Sequence, residues 1–166
     1  MTKVTYINEM EVIYTNHAIS HYLINGGTTY RNRGEVCESI AKFHRGIFTK
    51  NNPNTAWNAG SDIESEHAEV KSSEAGLGRG IGGYANNASD KIKAYFREAP
   101  VDKKWIWLEW NEKTNEVTEY HMNKSEFGKF IREFTRVHNM SNHKEVCIRF
   151  RKSTKKMVKW LERNCA

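Results

Sequence analysis

Cysteine is scarce in this chain: Cys37, Cys147 and Cys165 are the three, far apart and odd in number. That spacing fits neither a disulfide framework nor a zinc site of closely paired cysteines, and a reducing cytoplasm is the expected setting. Long apolar runs are also missing. No stretch approaches the roughly 20 residues of a membrane span, and the opening MTKVTYINEMEV lacks the continuous apolar centre of a secretory signal. A soluble, cytoplasmic protein with no membrane partner is expected. No internal repeat or low-complexity tract is visible in the 166 residues, a length that suits one domain, 1–166, with a real core.

Positive charge is what the chain has in excess. Lys and Arg number 26 against 20 Asp and Glu, giving +6 and a pI near 9.2. Such a balance favours a polyanionic partner through phosphate neutralisation and counterion release, although charge alone fits a merely basic soluble domain equally well.

Hydrophobic periodicity places the elements. Val12, Ile13, Ile19, Tyr22, Leu23 and Ile24 suggest a helical start that stops at an Asn25-Gly26-Gly27 turn. Val36, Ile40, Ala41, Phe43 and Ile47 recur at helical intervals, predicting an amphipathic helix from Gly34 with Gly46 as its C-terminal cap and carrying Glu35 and Glu38. The Asn51-Asn52-Pro53-Asn54 segment reads as a loop, and Ser61 to Glu64 as a short extended piece. His67 to Ser73 is a strand whose alternation separates Ala68, Val70 and Ser72 from Glu69, Lys71 and Ser73. Residues 74–90, rich in Gly, Ser, Asn and Ala, form a long shaped loop. A helix from Ser89 or Asp90 through Phe96 ends before Pro100. Trp105 to Trp110 is a buried strand, hairpin-paired with Val117, Thr118 and Tyr120. Ser125, Phe127, Phe130, Ile131 and Phe134 mark another amphipathic helix, and Val146 to Arg151 a short strand before a basic tail. The expected architecture is α/β (mixed α+β), with one mixed sheet flanked by helices.

Chemistry concentrates on one strand. A hairpin between Asp62 and Glu69 brings Asp62 beside Glu69 and Lys71, which already share a face. Paired carboxylate oxygens suit Mg²⁺, which clamps phosphate oxygens and activates a water. A neighbouring ammonium can orient or deprotonate that water and neutralise charge developing in the transition state. The bland alternative is a solvated strand face carrying acid and base together.

Asp62 with Glu69-Val70-Lys71 resembles the Asp, Glu-x-Lys signature of the PD-(D/E)xK nuclease superfamily. The resemblance implies a restriction-endonuclease-like fold with a preceding helix whose acidic residue approaches the metal site. Arg33 to Glu38 supplies that helix, with Glu38 the inward carboxylate. From Asn25 to Phe150 the chain is similar to the small PvuII-like type II restriction endonucleases: at Asn25-Gly26-Gly27, at Glu69-Val70-Lys71-Ser72, along Ala94 to Trp105, and at Ser141-Asn142-His143-Lys144 with Val146. It departs from them in having Asn86-Asn87 where they carry a histidine cluster, and in a shorter interval from Asp62 to Glu69.

The resemblance implies Asp62, Glu69 and the Val70 carbonyl as ligands of Mg²⁺, with Mn²⁺ as its substitute and Lys71 and Glu38 completing the catalytic set. It also implies double-stranded DNA as substrate, a homodimer to which residues 1–30 contribute, and a cognate DNA methyltransferase in the same cell. DNA contacts fall to Asn25, Gly26, Gly27, Ser73, Arg79, Asn86, Asn87, Lys91, Asn142, His143 and Lys144. Asparagine amides can read adenine edges, or simply form turns. Lys93, Arg149, Arg151, Lys155 and Lys156 are candidates for phosphate contact or generic solvated charges.

Three other signals carry less. Gly78-Arg79-Gly80-Ile81-Gly82-Gly83 spells a dinucleotide fingerprint without the preceding strand and βαβ unit that it requires. His138, Asn142 and His143 spell HNH-nuclease letters without a second metal-ligating element. Trp105, Trp107 and Trp110 belong to a core strand rather than to a base-stacking platform. The expected activity is Mg²⁺-dependent cleavage of duplex DNA at a short near-palindromic site. The alternatives are a junction-resolving or other structure-specific nuclease, and a catalytically silent nucleic-acid-binding module.

Overall fold

The computed structural model describes residues 1–15, 18–23, 26–30, 33–47, 61–72, 96–139, 146–150 and 154–165. The strands are β1 (Thr2–Ile7), β2 (Glu11–Thr15), β3 (Ala18–Leu23), β4 (Gly26–Tyr30), β5 (Ala68–Ser72), β6 (Lys104–Asn111), β7 (Glu116–Met122), β8 (Thr135–Asn139) and β9 (Val146–Phe150). The helices are α1 (Arg33–His44), α2 (Lys124–Phe134) and α3 (Thr154–Asn164), with a 3₁₀ turn at Glu64–Glu66 and helical residues at 96–98.

A four-stranded mixed sheet, ordered β1-β7-β6-β5, organises the molecule. β5 runs parallel to β6, with Glu69 opposite Trp105 and Lys71 opposite Trp107, while β6, β7 and β1 pair antiparallel. Both faces of β6 are covered, which explains its nearly unbroken apolar run. Ile106, Leu108 and Trp110 face a core shared with Ile63, Ala68 and Val70 and with Val36, Cys37, Ile40 and Ala41 of α1. Trp105 and Trp107 face the opposite core, with Tyr120, Met122, the phenylalanines of α2, and Met157 and Leu161 of α3. Stacking of Trp105 on Phe127, at 4.8 Å between centroids, is one of several ring contacts tying α2 to the sheet.

Helix ends follow local chemistry. Gly46 sits at φ +71°, its N–H donating to Phe43 O (2.9 Å) while Ile47 N–H donates to Lys42 O (2.9 Å), so orphaned carbonyls of α1 are satisfied as a glycine cap requires. At α2, Glu126 N–H donates to Asn123 Oδ1 (3.0 Å) and Asn123 N–H to Glu126 Oε2 (2.8 Å), a reciprocal capping box.

Five expectations need correction. The first thirty residues are not helical: β1 joins the main sheet, and β2, β3 and β4 form a separate antiparallel sheet. Val12-Ile13 and the segment around Ile19 carry β-branched residues at the density of strands, and neither run is long enough to sustain a helical period. Gly26 and Gly27 pair with Leu23 and Tyr22 inside a hairpin rather than forming its turn. The Ser61–Glu64 piece reduces to one bridging residue, Ile63, before the 3₁₀ turn. The basic tail is helix α3, held by Met157 and Leu161 on the aromatic core. The single mixed sheet is thus a four-stranded one accompanied by a three-stranded β2-β3-β4 and a two-stranded β8-β9. No helix among the described residues is long and apolar enough to cross a membrane.

Candidate active site

The site forms at the end strand of the main sheet. Ile63 and Ala68 exchange backbone hydrogen bonds (3.0 and 3.1 Å), so the chain doubles back sharply, with His67 in the left-handed region at φ 49°. The reversal sets Asp62 beside the edge of β5 that faces away from β6. There Asp62 Oδ2 accepts the Val70 N–H at 2.8 Å. Alternation along β5 buries Ala68, Val70 and Ser72 and leaves Glu69 and Lys71 half-buried on the other face.

Asp62, Glu69 and Lys71 therefore converge as expected. Lys71 Nζ lies 3.8 Å from Asp62 Oδ2 and 3.3 Å from Glu69 Oε2, and donates to the Val70 carbonyl at 3.2 Å. One ammonium thus faces three oxygens from three residues. Glu69 gains a second cation that the sequence reading missed: Lys103 Nζ donates to Glu69 Oε1 at 2.8 Å. Lys103 lies just before β6, and the parallel register of β5 and β6 brings it to Glu69. Nothing in the local sequence sets it apart from Lys104.

The two carboxyls titrate in opposite directions. Burial is the main force raising Asp62. Lys71 opposes it, Glu38 and Glu69 add to it, and the group is pushed up to about 7. At Glu69 burial is outweighed by the Lys71 charge and by Lys103, which hold its carboxyl below the usual range. The pair therefore tends to hold one proton near neutrality, on the Asp62 side.

Glu38 is not drawn into this contact set. It pairs with Lys42 one helical turn along α1 (2.6 Å) and reaches Asp62 through its charge. α1 packs on the face of β5 that carries Ala68 and Val70, opposite the one bearing Glu69 and Lys71. Gly26 and Gly27 lie in β4, and Lys155 and Lys156 are exposed on α3. Asn25, Ser73, Arg79, Asn86, Asn87, Lys91, Asn142, His143 and Lys144, with the 74–90 loop, lie outside the described residues.

Among the described residues no group of three or more His, Cys, Asp or Glu side chains stands close enough to hold a metal ion. The oxygen donors that do converge are two carboxylates and one main-chain carbonyl. They suit a hard cation that keeps part of its water shell, and the Lys71 ammonium already stands among these oxygens as a cation would.

Compared with known proteins, the chain matches no family model, no curated protein and no solved structure.

A second buried polar cluster lies nearby. Glu119, 1% exposed, accepts from Tyr6 Oη (2.7 Å), from both terminal nitrogens of Arg45 (2.9 and 2.8 Å) and from His121 Nε2 (2.8 Å). Arg45 also pairs with Glu66 at 2.5 Å, which ties α1 to the 3₁₀ turn between Asp62 and Glu69.

Proposed function

We propose that the protein is a Mg²⁺-dependent endonuclease of double-stranded DNA, of the type II restriction kind, acting as a homodimer beside a cognate methyltransferase. The observation that carries this reading is the position of Lys71 Nζ, within 3.8 Å of Asp62 Oδ2, 3.3 Å of Glu69 Oε2 and 3.2 Å of Val70 O. Three oxygens aimed at one cation on a sheet edge make a place for a hard metal with a lysine beside it. The net charge of +6 suits a polyanionic substrate.

Asp62, Glu69 and the Val70 carbonyl would hold the ion, which when bound supplies a lowered water pKa and charge stabilisation on the phosphate. Lys71, released from the carboxylates, orients the attacking water and neutralises charge that builds up on the phosphate oxygens. Asp62, with its carboxyl near 7, gives up its proton at little cost when a cation arrives. The Arg45–Glu66 and Arg45–Glu119 pairs hold the turn that carries Asp62.

Digestion of a DNA of known sequence with Mg²⁺, followed by mapping of the ends, tests the reading. Discrete fragments are expected, and Mn²⁺ should substitute for Mg²⁺. Cleavage confined to branched DNA would identify a structure-specific nuclease instead. A specific observation favours a second reading, a silent nucleic-acid-binding module: Lys71 and Lys103 both pair with Glu69, so its charge is already answered by two of the chain's own side chains. Metal-independent DNA binding with no cleavage in any divalent cation would establish that module.

A further inference from the structure

Glu69 is held by two ammoniums, one on each oxygen: Lys71 at 3.3 Å on Oε2 and Lys103 at 2.8 Å on Oε1. The two lysines differ in setting. Lys71 faces three oxygens, whereas the polar contact of the Lys103 ammonium among the described residues is Glu69 alone. Lys103 is also the more enclosed, its side chain 12% exposed against 29% for Lys71. Its backbone is fixed on both sides, with Lys103 N–H donating to Pro100 O (3.2 Å) and Lys104 N–H to His67 O (3.0 Å). The turn before β6 is thus pinned to the start of β5, and the ammonium is delivered to Glu69 from a rigid base. Both ammoniums therefore bear on the one carboxylate of Glu69, and the Lys103 charge is the one that Asp62 does not share.

We propose that Lys103 is a tethered counter-cation of the site, a positioning residue that keeps Glu69 charge-balanced and thereby holds divalent-metal affinity low in the free protein. This rests on reading Asp62 and Glu69 as the metal-binding carboxylates. A metal ion that approaches Glu69 meets the field of a fixed positive charge hydrogen-bonded to the same carboxylate. In a half-buried site that repulsion is screened far less than in water. Removing the charge while keeping the bulk leaves a more negative pocket.

The test is Mn²⁺ binding by electron paramagnetic resonance in the absence of DNA, with the melting temperature recorded for each variant. Lys103→Met is expected to bind Mn²⁺ about tenfold more tightly than the wild type. Lys103→Arg should restore wild-type affinity, and Asp62→Asn should abolish binding. A merely structural role would move the affinity the other way, because a disordered Glu69 binds metal less well. Lys103→Gln serves as the neutral variant if the Met variant does not fold. Equal or weaker binding by the neutral variant, with Asp62→Asn still abolishing it, would overturn the role of Lys103 and leave the metal site standing. Absence of Mn²⁺ binding in both wild type and Lys103→Met, or unchanged binding in Asp62→Asn, would overturn both.

Discussion

Glu119 and Asp62 are both acidic side chains drawn into the protein beside the same sheet, and their burial is answered differently. Glu119 receives donors from Tyr6, Arg45 and His121 and is pushed down to about 2. Asp62 receives one backbone N–H, stands 3.8 Å from an ammonium and has two other carboxylates acting on it; it is pushed up to about 7. The first is a carboxylate whose charge the fold has fully compensated, and such a group fixes structure. The second is one whose charge the fold leaves short of compensation, and that is the electrostatic state in which a carboxyl accepts a proton or a metal ion.

Breaking each cluster should therefore give different losses. The largest effect is expected on catalysis: Lys71→Ala should lower DNA cleavage by about 10²–10⁴-fold while duplex binding, read by gel shift, stays within a few-fold of wild type. Glu119→Gln should instead lower stability, by about 3 kcal/mol in urea denaturation, because Arg45 keeps its charge in a buried place with less to pair it. Cleavage by that variant should persist at temperatures where it is folded.

The pH dependence of the metal-free protein sharpens the contrast because the two groups have opposite signs. Asp62 holds a proton in the folded state that the unfolded chain releases near its ordinary value of 3.8, so its contribution to stability declines as pH rises from there to about 7. That decline is on the order of 4 kcal/mol, and Asp62→Asn should remove it. Glu119 is the reverse case: its contribution is present above its ordinary value of 4.5 and is lost as pH falls towards about 2. Denaturant midpoints measured at a series of pH values for both variants check both limbs. The smallest expected effect lies outside either cluster. Gly46→Ala, at φ +71° with open space around the added methyl, should cost about 1 kcal/mol through backbone strain alone.

Much of strand β5 was legible in the letters. Period-two alternation in AEVKS puts Glu69 and Lys71 on one face whatever the fold, and the burial of Ala68, Val70 and Ser72 follows from it. Gly46 and the Trp105–Trp110 strand were legible for similar reasons, since an αL cap and a two-sided apolar strand leave local signatures. Lys103 and the Glu119–Arg45–Glu66 network were not. They depend on strand register and on contacts between residues far apart in sequence, such as Arg45 and Glu119. The N-terminal strands were misread because short apolar runs carry helix and strand periods almost equally, and pairing between strands decided the matter. The α3 helix was hidden by its lysines, which occupy its exposed side while Met157 and Leu161 face the core.

The most direct test of the account is a parallel Mg²⁺ digestion of plasmid DNA by wild type, Lys71→Ala and Glu119→Gln, each at a temperature where circular dichroism shows it folded. The account predicts fragments from the wild type and from Glu119→Gln and none from Lys71→Ala. Undiminished cleavage by Lys71→Ala, or an intact plasmid after incubation with the wild type, would contradict it.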